Sequence, residues 1–382
     1  MKLRSRSLAL LSLTMLNAAC GNMTTSDQAG NQVSDTTTLS EETTAQATVA
    51  APRTIKIRSI GDILIHDALY YDADQGDGTY NFDKMFAPVK QYIENADITT
   101  ANLEVIAAGD YLPLSSYPTF NAPSELIDAL QVVGVDIVNN ANNHTMDMGA
   151  EGALYSLDAL DERGMPYVGS YRDWEDYATP RILEANGVKV GFLAYSYGAN
   201  GNYIPEDMTH LLTLIDTDVM AEEVAALKEQ VDLSVVMIHN GEEYETLPAA
   251  YQAGVANVAR DAGANFILGG HPHVPQPFIV YNKHQAGIFS HGNFLSGQVT
   301  EGTKVGGIVE YVFTEGPEGF EVTSLKFMPT YNLGDYTNYG WQVVPLADWE
   351  TYGIWDGQAL FDDLVDRMRY YSNVVEVVEY LD

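Results

Sequence analysis

The segment 265–277, NFILGGHPHVPQP, runs as an apolar strand into two glycines and then presents His271 and His273 on either side of one proline. Residues i and i+2 of an extended chain face the same side. Pro272 biases the residue before it toward extended geometry. The spacing therefore predicts two imidazoles aimed together, with Gly269 and Gly270 leaving their approach open. Other apolar runs end the same way: IKIRSIG at Asp62, DITTANL at Glu104, VDIVNNAN at Asn143 and His144, LSVVMI at His239. Ligands of open α/β sheets bind beyond the carboxyl ends of strands, so parallel neighbours would gather these groups in one crevice. Imidazole, carboxylate and amide donors without thiolate exclude a structural zinc knot. They suit divalent Mn, Fe or Zn, and there are enough of them for two ions bridged by a carboxylate. Two such ions activate water and stabilise the entering and leaving oxygens of a phosphoryl transfer. His144 follows Asn143 directly, so the two do not easily serve one ion in the same way; it reads either as an acid that protonates a leaving oxygen or as a histidine that orients a neighbour or packs.

The elements that must position these groups can be traced from Thr54. TIKIRSIGD alternates and is expected to turn at Gly61; FDKMFAPVKQYIENA is helical, divided or bent at Pro88. DITTANLE and VDIVNNANNH read as strands, with helices PSELIDALQVVG and GAEGALYSLDALDERG after them. RILEANGVKVGFLAYS is two strands around Asn186-Gly187, a type I′ hairpin signal. Helix DVMAEEVAALKEQV, strand LSVVMIH, helix AAYQAGVANVARDAG and strand ANFILGGH continue the alternation. Beyond Phe278 come mostly strands, including AGIFSHGNF as one unit, then a tyrosine-rich tail with a helix near 357–371. The fold class is α/β, a mixed sheet system with helices outside. No internal repeat or second linker appears, so residues 54–330 form one domain and 331–382 an extension packed on it.

The chain carries 19 basic and 53 acidic residues among 382, a net charge of −34. Such a surface repels nucleic acid and anionic lipid, so no nucleic-acid partner is expected. Residues 1–20 have a basic start, the apolar run SLALLSLTML and small residues before Cys20, the one cysteine. This is a secretory signal, and Cys20 stands where a bacterial lipoprotein is lipidated. Residues 21–53 are rich in Thr, Ser, Ala and Gln and hold no aromatic side chain, the composition of a disordered tether.

GDILIH, ANLE, NNHTMDMG, HNGEEY, GGHPHV and SHGNF, in this order between residues 54 and 300, resemble the CapA (PgsA) family. These are poly-γ-glutamate capsule biosynthesis proteins related to the calcineurin-like metallophosphatases. The resemblance implies a four-layer α/β/β/α sandwich with its metal site at the strand ends. By position, Asp62 is the first metal aspartate, Glu104 the bridging acid, Asn143 the amide ligand and His144 the catalytic histidine. His239, His271 and His273 are the remaining ligands. Glu243 matches the family's H-x-G-x-E-Y pattern and would stand behind a ligand. Ser290 and Asn293 would line the pocket or make a turn. Leu64 occupies a position where the wider superfamily has histidine, and His66 is the candidate replacement. Asn240 and Asp67 replace a common Trp and Arg. His291 has no assigned role, and His210 and His284 read as surface residues. The 24 tyrosines are assigned to core and interface packing, a polymer groove being the alternative.

The implied protein is an extracytoplasmic lipoprotein, anchored to a bacterial membrane through Cys20 and partnered by capsule-synthesis membrane proteins and poly-γ-glutamate. It would use a metallophosphatase-type centre with two divalent ions. The alternatives are a metal-dependent phosphoesterase unrelated to capsule and a lipid-anchored binding protein with a vestigial site.

Overall fold

The computed structural model describes residues 51–382; Cys20 and the leader and most of the tether lie outside the described residues. Strands β1 (Thr54–Leu64), β2 (Ile98–Leu103), β3 (Ile137–Asn139) and β4 (Tyr167–Val168) begin a first sheet. The chain then builds a second from β5 (Arg181–Ala185), β6 (Val188–Ser196), β7 (Leu233–His239), β8 (Phe266–Gly270), β9 (Pro275–Asn282) and β10 (Gln285–His291). It returns to the first with β11 (Asn293–Ser296), β12 (Val305–Gly316), β13 (Gly319–Asp335), β14 (Tyr339–Pro345) and β15 (Glu376–Val377). The first sheet has the order β14-β13-β12-β1-β2-β3-β4, with β11 beside β1 and β15 beside β13. The second has the order β5-β6-β7-β8-β10-β9. Strands β1 to β4 are mutually parallel, as are β6, β7, β8 and β10.

Side-chain alternation divides the interior into three cores. Ile57, Ile98 and Ile137 of the first sheet meet Val235, Phe266 and Leu268 of the second, and Phe266 stacks on Tyr311 at 3.9 Å. The outer face of the first sheet (Ile60, Ala101, Val138) packs against helices that include Glu125–Val132 and Gly149–Glu162. The outer face of the second (Val236, Ile238, Ile267) packs against helices Thr217–Lys228 and Ala250–Ala262. Helix, sheet, sheet and helix are thus the four layers of an α/β/β/α sandwich.

Several local expectations hold. Pro88 divides its segment into helices Asp83–Phe86 and Lys90–Glu94. Asn186 and Gly187 both take positive φ in the β5–β6 hairpin. Three others need correction. β1 does not turn at Gly61 but continues to Leu64 through a bulge. β3 stops at Asn139, because Asn139 and Asn142 accept backbone N–H groups of Ala141 and His144 and so fold 140–144 into turns. AGIFSHGNF is not one strand: Gly292, at φ +74°, turns the chain from β10 in the second sheet to β11 in the first.

A buried ion pair ties β1 to β12. Arg58 Nε donates to Glu310 Oε2 at 3.0 Å, Lys326 Nζ reaches Oε1 at 3.1 Å, and both Arg58 and Glu310 are almost fully enclosed. Removing one partner strands a buried charge. Glu310→Ala is therefore expected to cost about 3–5 kcal/mol, while Arg58→Met combined with Glu310→Leu should recover most of it. Urea unfolding midpoints of the single and double variants check this; equal losses in both would refute it.

Candidate metal centre

All the strand-end groups converge between the sheets. β2 sends Ile98, Thr100 and Asn102 into the inter-sheet space, and its alternation carries on to Glu104. β7 sends Leu233, Val235, Met237 and then His239 to the same space from the other side. Asp62 would not join them by alternation alone, because it lies two residues from Ile60, which packs in the helix-side core. The bulge corrects this. Ile60 pairs with Ala101, but Asp62 pairs with Asn102 rather than Leu103. Gly61 absorbs the extra residue, and Asp62 turns inward. The Asp62 N–H donates to Gly292 O at 3.1 Å, and a Cβ on Gly61 would lie 2.1 Å from that same oxygen. Gly270 is constrained less severely, since a Cβ there would lie 2.9 Å from the side-chain atom Asp62 Oδ1.

His271 and His273 reach the site by a different route from the one their spacing predicts. They are not extended: φ is +98° at His271 and +60° at His273. Such backbone costs on the order of 1–3 kcal/mol per residue and persists where its surroundings impose it. Here the Tyr244 N–H donates to Pro272 O at 2.8 Å and the Asn240 N–H to Gly270 O at 3.2 Å, pinning the turn. The ring centroids of His271 and His273 are 6.0 Å apart, and those of His239 and His271 are 5.0 Å apart.

Two groups of potential ligand atoms result. Glu104, His271 and His273 offer atoms within 4.8 Å of one another, and so do Asp62, Glu104 and His239. Glu104 belongs to both. Asn143 Oδ1 accepts from His239 Nε2 at 2.6 Å, so the amide oxygen faces the same point. Asp62 Oδ2, both oxygens of Glu104 and His271 Nδ1 are buried without a hydrogen bond. Glu104 Oε1 lies 3.2 Å from His239 Nε2 and Asp62 Oδ2 lies 3.3 Å from His273 Nδ1, close contacts without hydrogen-bond alignment. Buried carboxylate oxygens lacking donors are costly. A divalent cation held by these oxygens and imidazoles removes that cost, so the donor set fits the metal that the sequence suggests.

The electrostatics show the same concentration of charge. Burial would raise Asp62, yet His273 and His239 hold it below the usual carboxylate range. Burial works against a charged His273, but Glu104 and Asp62 outweigh it and lift the ring to about 9. Burial, helped by His239 and His273, pushes His271 down to about 2.

His144 stands beside this cluster with its own partner. Its Nδ1 lies 2.7 Å from Asp147 Oδ2, and that carboxylate also accepts the Phe120 N–H at 2.7 Å and the Asn202 amide at 3.2 Å. Phe120 packs edge-on to His144 at 4.8 Å. The carboxylate thus fixes the ring and leaves Nε2 as the nitrogen free to deliver a proton.

The remaining expected residues are placed as follows. His66 belongs to neither ligand group; its Nδ1 lies 3.1 Å from Leu64 O and 3.2 Å from the Gly297 N–H, and burial lowers it to about 4. Leu64 packs in the helix-side core. Asn293 pairs with Asp62 across β11 and β1 and places its Oδ1 3.1 Å from His273 Nδ1, which is a positioning contact. Glu243 is exposed on the loop after β7. His291 is buried, with its Nδ1 2.9 Å from Gly269 O. His210 is not a surface residue; it is buried against Tyr171 O at 2.9 Å, under the edge of Trp174. His284 is half-buried, its Nδ1 2.7 Å from Phe320 O.

Three further residues belong to the site. Asn102 donates to Asp62 Oδ1 at 2.7 Å and lies 3.2 Å from His239 Nδ1, and Asn139 donates to Asn102 Oδ1 at 2.9 Å. The third is Asp147. The signal for Asn102 was its i, i+2 relation to Glu104 inside an apolar strand, and that for Asp147 its i, i+3 relation to His144.

A four-layer α/β/β/α sandwich with carboxylates and imidazoles gathered at the carboxyl ends of its strands defines the class of this protein, an α/β fold with a candidate metal centre. Residues 56–298, more than half of the chain, match the family model of the bacterial capsule synthesis protein PGA_cap. The chain belongs to that family. The capsule biosynthesis protein CapA of Bacillus anthracis is 31% identical over 240 residues, covering 61% of this chain and 58% of that protein. The PGA biosynthesis protein CapA of Bacillus subtilis (strain 168) is 28% identical over 248 residues, covering 64% and 65%. The chain thus spans about three fifths of the length of these relatives. Among solved structures, a putative 5′-nucleotidase from Staphylococcus aureus in complex with α-ketoglutarate superposes with a TM-score of 0.48 at 14% identity, over 82% of this chain and 58% of that one.

Proposed function

We propose that this member of the PGA_cap family acts in capsule synthesis outside the cytoplasm, as a lipoprotein held by Cys20, with a dinuclear divalent-metal centre that performs a hydrolytic step. Poly-γ-glutamate and the membrane proteins that make it are the partners this reading implies. The observation that carries it is the sharing of Glu104 between two groups of buried ligand atoms, several of them without hydrogen bonds. Asp62, Glu104, Asn143, His239, His271 and His273 would hold the ions. When bound, the metal supplies a water acidic enough to attack at neutral pH. Asn102 and Asn293 hold Asp62 and His273 in place through the contacts described above. His144, oriented by Asp147, delivers a proton to the leaving atom.

Elemental analysis of gently purified protein, with hydrolysis of aryl esters and aryl phosphates measured in parallel, tests this. About two ions per chain are expected. His144→Ala should keep them while losing about 10²–10⁴ in kcat. Asp147→Asn, acting through orientation, should lose less and shift the pH profile of kcat. Protein that retains no ion under any loading condition would defeat the proposal.

A further inference from the structure

The mouth of the centre has a composition that bears on its ligand. Segments 59–83, 91–162, 190–227, 229–259, 261–282 and 284–303 contain no lysine or arginine. They supply the loops that follow β1, β2, β3, β6, β7, β8 and β10, and so every connection that frames the site. The next cation along the chain, Lys304, is turned to Gly334 O at 3.3 Å and lies over Tyr331. Among the described residues, no lysine or arginine forms an ion pair with Asp62, Glu104, Asp147, Glu242, Glu243 or Glu245. Phosphate groups are ordinarily gripped by arginine forks or lysine in addition to metal. Nothing of that kind stands here.

What stands there instead is aromatic and acidic. Tyr197, 45% exposed, tilts against the His271 ring at 4.5 Å. Tyr244, 54% exposed, lies 6.1 Å from His273, its backbone at φ +67°. Tyr117, 78% exposed, contacts Phe120, which itself packs on His144. Each functional imidazole at the rim therefore has an exposed phenol ring beside or behind it. Glu242, Glu243 and Glu245 are exposed on the loop that carries Tyr244. Burial and the Glu243 carboxylate together raise the Tyr244 phenol. Ions bound at Asp62 and Glu104 would neutralise those buried acids, but the rim carboxylates would remain.

Aromatic faces beside carboxylates recognise ammonium groups, by attraction to the ring quadrupole and by ion pairing. We infer that the ligand entering this site carries an ammonium group, bound between Tyr244, Tyr197 and Glu243, rather than a phosphate dianion. The inference deepens the proposed function, because it takes this mouth as the access to the proposed centre. A chain with a free amine beside an amide or ester linkage has the required chemistry. An anionic chain would reach the centre only with its carboxylates neutralised.

Ligand-observed NMR titrations of the zinc-loaded protein at neutral pH test the inference, with phenethylammonium, its uncharged counterpart 2-phenylethanol and phenyl phosphate as probes. Phenethylammonium should bind at least ~10-fold more tightly than 2-phenylethanol, with phenyl phosphate weakest. Glu243→Gln with Tyr244→Ala, both exposed positions, should reduce the preference to about threefold or less. Equal binding of the three probes, or tightest binding of phenyl phosphate, would overturn the inference. So would a preference that survives the rim variants and disappears in Glu104→Gln, since the ammonium would then be replacing the metal. Failure of the proposed function reads separately, as absence of bound ion in elemental analysis whatever the probes do.

Discussion

Glu104→Gln is expected to abolish stabilisation of the protein by divalent metal while leaving the metal-free fold almost unchanged. A ligand that binds only the folded state adds roughly 4 kcal/mol at a thousand times its dissociation constant, several degrees in melting temperature for a chain this size. Wild-type protein should show that rise on addition of Mn²⁺ or Zn²⁺. Glu104 contributes to both ligand groups, so its loss weakens both positions at once. The amide keeps the shape of the side chain and removes a buried negative charge whose oxygens make no hydrogen bond. The metal-free variant loses one carboxylate near His273, but Asp62 remains 3.3 Å from that ring, so its loss of stability should be small beside the loss of the metal effect. Thermal unfolding with and without metal, together with ion content, decides the matter. A Glu104→Gln protein that is stabilised by metal as strongly as wild type would show that the centre is not built on this carboxylate.

Gly61→Ala should be a severely damaging single methyl addition near the site. Its Cβ would fall 2.1 Å from Gly292 O and 2.8 Å from His291 Cβ, and the first of these is backbone that cannot rotate away. Relief requires either separating β1 from the Gly292 crossover or closing the bulge. Closing it would return Asp62 to the face of Ile60 and bury its carboxylate among apolar helix contacts. Forced overpacking costs typically 1–3 kcal/mol, and the disturbed bulge adds to it, so a loss of about 3 kcal/mol or more is expected from urea unfolding. Metal-induced stabilisation should also disappear. A Gly61→Ala protein with wild-type stability and full ion content would mean that the bulge does not position Asp62.

The amino-acid sequence by itself determined the order of the longer strands and helices through residue 270, but not the short helix Asp67–Ala73 or the two-residue β4. Periodicities of two and about three and a half residues survive in any context, and Pro88, Asn186-Gly187 and the helix-ending glycines mark local boundaries. It also marked Asp62, Glu104, Asn143, His144, His239, His271 and His273, because polar groups of ligand type at the ends of apolar runs have no reason to be there in a purely structural role. What only the tertiary structure decided is how those groups meet. The ligands come from two facing sheets rather than one, which alternation within a strand cannot reveal. The Gly61 bulge inverts the face of Asp62, and a bulge is defined by the partner strand. Gly292 hands the chain from one sheet to the other, a choice made by which strand ends lie nearby. The left-handed backbone of His271 and His273 is imposed by Tyr244 and Asn240 from a neighbouring loop, at His271 against the local preference before a proline. Asn102 and Asp147 gained their roles because positioning contacts are set by distance in space. Local propensity fixes elements, but convergence of side chains is a property of the packed sheets.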